Sequence, residues 1–318
     1  MTNKNKNCGF RTSIGGQALI EGILMRGPKK QAIVCRTKDG LVEKVEDIKL
    51  DKEKHPILGW PFIRGCAIFL DPMYKGMQAL TYSASLIPED EQAEPDKLDK
   101  WISDHFPAEK AQKLIIGTAV VLGIALSLLL FIFLPTLIVG FIKPLTANYV
   151  IRNLSEGVLK VVILLIYMKL CTRVSDVQRL FSYHGAEHKT IFCYEHGREL
   201  TVENVRSESR FHPRCGTSFL ILVLVISILL YAVLPWTSTA LRVVYKLAML
   251  PLLVGISYEV LKWSGRSHSL LARAIAQPGL WLQRLTVFEP EDDMIEIAIA
   301  AVTPVLPEDP GQAAWGHD

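Results

Sequence analysis

Residues 114–134 read LIIGTAVVLGIALSLLLFIFL, twenty-one positions without a charge. As a helix rising 1.5 Å per residue, this run is about as long as a bilayer's hydrocarbon core is thick, roughly 30 Å. Such a segment must cross a membrane or be enclosed in a large core. Half of the 318 residues are hydrophobic and the mean hydropathy is +0.26, high for a soluble domain, so further spans are expected. Residues 218–235, SFLILVLVISILLYAVLP, form a second charge-free run. Two weaker runs are 157–172, with Lys160 and Lys169 near its ends and able to snorkel, and 243–261, which contains Lys246, Pro251 and Glu259. Pro135 and the apolar TLIVGFI behind it are expected to extend or kink the first span. The reading is a mainly α-helical polytopic membrane protein with four transmembrane helices.

The net charge of +3 gives no argument for nucleic acid, and no direct nucleic-acid site is expected; where the charge lies is more informative. The segment 173–214 carries Arg173, Arg179, Lys189, Arg198, Arg206, Arg210 and Arg214, and the part after the fourth span carries Lys262, Arg266, Arg273 and Arg284. The connections 143–156 and 236–242 are poor in such residues. Basic segments stay on the cytoplasmic side, so both termini and the 173–216 loop are expected inside. The polar N-terminus lacks a signal peptide's apolar core. Six scattered cysteines fit a reducing compartment.

Residues 1–60 read as a small cytoplasmic β-rich region. In QAIVCRTKDGLVEKVEDIKL, 31–50, two β-rich runs flank Asp39-Gly40, a pair suited to a type I′ hairpin turn. The preceding GGQALIEGILMRGP can add a strand, its glycines permitting tight turns or close backbone approach. Glu21 and Arg26 within it read as paired or solvated charges at a sheet edge. Residues 61–87 read as an amphipathic interfacial helix, 88–113 as an acidic linker, 114–262 as the membrane domain and 263–318 as a C-terminal cytoplasmic segment.

The chemistry concentrates in YHGAEHKTIFCYEHG. The second span, 157–172, is expected to continue into the cytoplasm as a helix with 173, 176, 177, 180, 184, 187, 188 and 191 on one stripe. His184, Glu187 and His188 share it. Histidines at i and i+4 on one face can chelate one ion, and H-x-x-E-H is the order of the inverted zinc peptidases. There the histidines hold zinc and the glutamate takes a proton from a water that the ion has acidified. Glu187 is thus the candidate catalytic base. A third ligand can come from His212 or Cys215 in SRFHPRCGTSF, or from Glu203 or Glu208. Cys193 with Cys215 and a histidine would instead close a four-ligand structural site. His196-Gly197 reads as a helix end; His55, His105, His268 and His317 are isolated.

Five blocks in order, GGQALIEGILMRGP, YHGAEHKTIFCYE, TVENVR, SRFHPRCGTSFL and ARAIAQPGLWLQRLTVFEPEDDMIEIAIAA, resemble the bacterial YqhQ family, a membrane domain of unknown function. The resemblance covers most of residues 13–302. It implies a multi-pass protein of the bacterial inner membrane, described as a metal-dependent enzyme, and retains His184, Glu187, His188, His212 and Cys215 of the family pattern. The expected function is metal-dependent hydrolysis at the cytoplasmic membrane face, with a divalent transition metal, zinc foremost. The alternative is a non-enzymatic factor in membrane-protein biogenesis or metal homeostasis. Its structural metal site would accompany binding to other membrane proteins or the translation and insertion machinery. Four arginines, Arg198, Arg206, Arg210 and Arg214, suit an acidic partner or anionic lipid.

Overall fold

A computed structural model describes residues 10–48, 63–87, 97–141, 148–234, 238–267 and 269–314. His55, His268, His317 and linker residues 88–96 lie outside them. The chain forms two compact units, one of Met1–Leu86, Tyr167–Ile226 and Pro251–Asp318, the other of Ile87–Ile166 and Ser227–Leu250.

The first unit is built on an antiparallel meander of β1 (Gly15–Leu19), β2 (Gly22–Arg26), β3 (Lys30–Thr37) and β4 (Gly40–Asp47). The expected hairpin is present, but its register pairs Thr37 with Gly40, so the two loop residues are Lys38 and Asp39. Gly40, at φ +122°, opens β4 and is not a central turn residue. The glycine-rich block supplies two strands, closed at Leu19 and Gly22 around Ile20 and Glu21.

Alternation along β2 and β3 sorts side chains between two layers. Ile23, Met25, Ala32 and Val34 enter one cluster; Leu24, Ile33 and Cys35 enter another on the opposite face. Helix α1 (Ile63–Ser85) covers the second face through Ala79, Leu80 and Tyr82. The segment expected at a membrane surface therefore packs on the sheet along its C-terminal half, while Met73 and Tyr74 stay exposed. The expected linker is helical at its end: α2 spans Lys97–His105 and α3 begins at Ala108.

Helix α3 (Ala108–Leu128) passes through a π-helical turn, Leu129–Phe133, into α4 (Leu134–Phe141). Pro135 explains the turn. It has no N–H for the carbonyl of Phe131, and its ring would strike that carbonyl in a regular helix. The Leu134 N–H bonds five residues back to Leu129, and the Thr136 hydroxyl takes the Ile132 carbonyl at 2.6 Å. Residues Leu114–Phe141 form one helix long and apolar enough to cross a membrane.

The other expected spans are less regular. Helix α5 (Tyr149–Cys171) is long enough but contains Glu156 and Lys160. It does not run on into the next helix: Val174 is extended, and α6 (Ser175–Glu195) starts afresh. After α7 (Val202–Arg206), α8 (Gly216–Ala232) is apolar but 17 residues long. The fourth run is split into α9 (Thr239–Ala248) and α10 (Leu250–Arg266), long and apolar enough to cross a membrane only when taken together as one broken span. Pro251 sets the break, because it cannot donate to the Leu247 carbonyl. By length and composition the described residues hold one candidate span, or two, where four were expected.

Helices α11 (Leu270–Thr286) and α12 (Asp292–Val302) follow. Met294, Ile295, Ile297, Ala298, Ala301 and Val302 form the stripe of α12 that meets the first sheet face, together with Tyr183, Ala186 and Ile191 of α6. Asp293 in the first turn of α12 is held by Arg36 of β3.

Candidate metal centre

Helix α6 lies against β1 and α12 in the first unit. Gly185 also lets α6 approach the connection between α11 and α12 closely, since a Cβ there would stand 2.0 Å from the Phe288 carbonyl oxygen. The helix ends as expected at His196-Gly197, with Gly197 at φ +65°. The Arg198 N–H bonds the Cys193 carbonyl and the Gly197 N–H that of Tyr194, a Schellman cap.

Along α6, His184 and His188 meet Cys215, which stands immediately before α8. One ligand atom from each lies within 4.8 Å of the others. His184 Nε2 is 3.1 Å from Cys215 Sγ. A tetrahedral ion with zinc-like bond lengths separates its ligand atoms by roughly 3.6 Å, so small side-chain adjustments suffice. The outer nitrogens are already engaged: His184 Nδ1 donates to the Thr286 carbonyl at 3.1 Å and His188 Nδ1 to the Arg210 carbonyl at 2.6 Å. In the neutral ring each Nε2 is then the atom that can hold an ion, the usual arrangement around an ion-binding histidine.

Burial opposes ionisation of Cys215, but the imidazoles of His184 and His188 outweigh it and hold the thiol well below its ordinary value. The Thr217 N–H, in the first turn of α8, adds a 3.4 Å hydrogen bond to Sγ. Burial likewise works against His184 protonation; the Cys215 sulfur overcomes it and raises the imidazole to about 9. The donor set therefore favours a thiolate, which suits zinc.

Glu187 is not part of the group. Its Oε1 accepts the Gly16 N–H of β1 at 2.9 Å, and burial, against the pull of His184 and His188, raises its carboxyl above the usual range. Beside these residues opens a cavity of about 460 Å³, bounded by 12–18 on one side and by His184, Glu187, His188 and Cys215 on the other.

The remaining expected ligands are placed elsewhere. The His212 ring centroid is 5.5 Å from that of His188, and its Nε2 lies 3.6 Å from Glu195. Its backbone is clamped by Gln283, which accepts from the His212 N–H at 2.8 Å and donates to the His212 carbonyl at 2.7 Å. Cys193 sits in the apolar core, Glu203 is exposed, and Glu208 pairs with His196 and Arg198. Among the described residues no fourth His, Cys, Asp or Glu joins the group. Sequence reasoning missed the Gly16, Thr286 and Arg210 backbone groups and Gln283; only the paired glycines at 15 and 16 hinted at a close approach. Glu21, at φ +51°, pairs with Arg179 and accepts from the Tyr183 hydroxyl at 3.1 Å, as a paired charge. The four arginines expected to meet a partner all close ion pairs within the unit, with Glu208, Asp292, Glu289 and Glu195.

The second unit contains a charged cluster that was not expected. Glu156 of α5 lies between Lys160 at 3.3 Å, Arg242 at 3.0 Å and Lys246, all of them buried. Thr136 and Asn153 complete it, the first donating to Glu156 at 3.1 Å and the second accepting from Arg242 at 2.9 Å. Lys160 does not snorkel, and Lys246, though close to the start of its run, is buried against the same carboxylate. The overlooked signal was a Glu-x-x-x-Lys and an Arg-x-x-x-Lys pair, each at one-turn spacing within apolar surroundings.

These features define a mainly helical protein with a small N-terminal antiparallel sheet, a helix apolar enough for a membrane and a His/Cys group beside a cavity. The chain belongs to the family described as "Protein of unknown function (DUF1385)", whose profile matches residues 60–308. It is 31% identical over 299 residues to "Uncharacterized protein YqhQ" of Bacillus subtilis (strain 168), covering 92% of each chain. None of the solved structures matches it.

Proposed function

We propose that this protein is an integral-membrane, metal-dependent hydrolase working at the cytoplasmic face of a bacterial inner membrane. The observation that carries this reading is the three-donor group His184, His188 and Cys215, open to a cavity, with Glu187 beside it but outside it. Three protein donors with space for a fourth ligand are the pattern of catalytic zinc sites, whereas structural sites are closed by four. The ion would lower the pKa of a water to about 7. Glu187, held by Gly16 and made more basic by burial, takes that water's proton and delivers it to the leaving group. The same proposal includes four spans, formed by α3–α4, α5, α8 and the broken α9–α10, with both termini cytoplasmic. Pairing of Glu156 with Lys160, Arg242 and Lys246 lowers the cost of carrying these charges within α5 and α9 as spans.

The test is metal analysis of the purified protein combined with complementation of a deletion strain. One equivalent of a transition metal is expected, lost in His184→Ala and His188→Ala. Glu187→Gln should keep metal and protein level but lose function. Full function of Glu187→Gln would refute hydrolysis and move the protein to the class of non-enzymatic membrane factors.

A further inference from the structure

We propose that the substrate of this site is an extended polypeptide segment, bound as an added strand along the free edge of β1. The inference rests on the hydrolase reading and names what that site takes.

Strand β1 is the edge of the sheet, with β2 on one side only. Its two-residue hairpin closes at Leu19 and Gly22, so the pairs that exchange hydrogen bonds with β2 are 19 with 22, 17 with 24 and 15 with 26. Residues 16 and 18 must then direct N–H and C=O away from β2. The Gly16 N–H does so, since it reaches Glu187. By the same alternation the Gly16 carbonyl and both backbone groups of Ala18 face outward, and among the described residues none has a hydrogen-bonding partner. These groups border the cavity that holds the His184, His188 and Cys215 donors. The strand carries no bulk at the point nearest Glu187, because residues 15 and 16 are both glycine.

An edge with alternate outward donors and acceptors is matched by another extended backbone and by little else, as in other strand-addition complexes. A peptide pairing with Ala18 would exchange two hydrogen bonds with it and a third with the Gly16 carbonyl. Its next residues would then pass Glu187 and the metal donors. In the reaction the oxygen of water joins the peptide carbonyl carbon and the C–N bond breaks. The proton taken up by Glu187 goes to the departing nitrogen.

The test uses full-length, zinc-loaded protein in detergent with Glu187→Gln to block turnover. The probe is fluorescein-labelled α-lactalbumin, reduced and carboxymethylated so that it is unfolded. Saturable binding by anisotropy is expected, absent for native α-lactalbumin. Ala18→Pro removes an outward N–H that β2 does not use, and should weaken binding at least tenfold; Ala18→Ser should leave it unchanged. Equal binding by a folded, zinc-containing Ala18→Pro protein overturns the proposal, as does a parent protein that does not bind. If Ala18→Pro fails to fold, hydrogen exchange of residues 12–20 in the parent decides, protection by the probe being required. Binding without cleavage by the Glu187 protein would sink the hydrolase and leave the docking edge. Cleavage unaffected by Ala18→Pro would do the reverse.

Discussion

The backbone N–H of Gly16 donates to Oε1 of Glu187 at 2.9 Å, joining positions 171 apart in sequence. It is the point at which the N-terminal sheet touches the chemistry of α6. It also explains why a glycine is needed. A Cβ at residue 16 would lie 2.6 Å from the Leu24 carbonyl oxygen and 3.1 Å from Glu187 Cδ.

Gly16→Ala therefore forces β2 or Glu187 to move. A loss of about 1–3 kcal/mol is expected from the overpacking, read as a drop of several degrees in melting temperature. Function should fall further than stability does, because the Glu187 carboxylate is displaced. An unchanged melting curve with full complementation would show that the contact is dispensable.

In the second unit, Glu156→Gln leaves Lys160, Arg242 and Lys246 buried around a neutral amide. Removing one partner of a buried ionic group costs on the order of 3–5 kcal/mol. Thermal melts in detergent should show this. The triple variant Glu156→Gln, Lys160→Met, Lys246→Met should recover a large part of it. A mild effect of the single change would mean that the charges are hydrated.

Acid should destabilise the metal-free protein through His212. Burial holds its imidazole down at about 4, with Arg214 pushing the same way and Glu195 opposing. The ordinary value is 6.5, so between the two the unfolded chain binds a proton that the folded one refuses. Stability is complete above pH 6.5 and declines as the pH falls through 4, by about 3 kcal/mol in total. Burial works against the Glu195 charge, but His212 and Arg214 hold that carboxyl below its ordinary value, so its contribution is lost on the same side. Urea titrations in EDTA at pH 7, 6, 5 and 4.5 measure the slope, and His212→Asn should flatten it.

Reporter fusions after residues 148, 200, 238 and 290 should read outside, inside, outside and inside. A fusion after 200 reporting outside would take the His184, His188 and Cys215 group out of the cytoplasm.

What could be read from the sequence followed periodicity. The 3.6-residue stripe placed His184, Glu187 and His188 on one face of α6, and the alternation in QAIVCRT placed β3. Where one residue changes local geometry, the reading slipped. Gly40 took the strand and moved the turn, and Pro251 broke an apolar run into two helices. The charges of α5 and α9 were misread for another reason. Glu156 and Lys246 are 90 positions apart, and hydropathy averages each against its own neighbours. The Arg210 and Thr286 groups around the centre are backbone atoms that no residue type announces, and the Gly16 N–H was hinted at only by the paired glycines.

The first sheet face also sets a timetable for synthesis. Val34 leaves the ribosome early, yet Met294, which covers the same cluster, follows it by 260 residues. At about 5–20 residues per second the delay is roughly 13–50 s. Throughout that interval the nascent sheet has no α12 to close it, while the apolar helices between are still emerging. An open apolar sheet face is the kind of surface that holding chaperones cover, and the His184, His188 and Cys215 group, which needs Thr286, is complete only shortly before α12 closes that face.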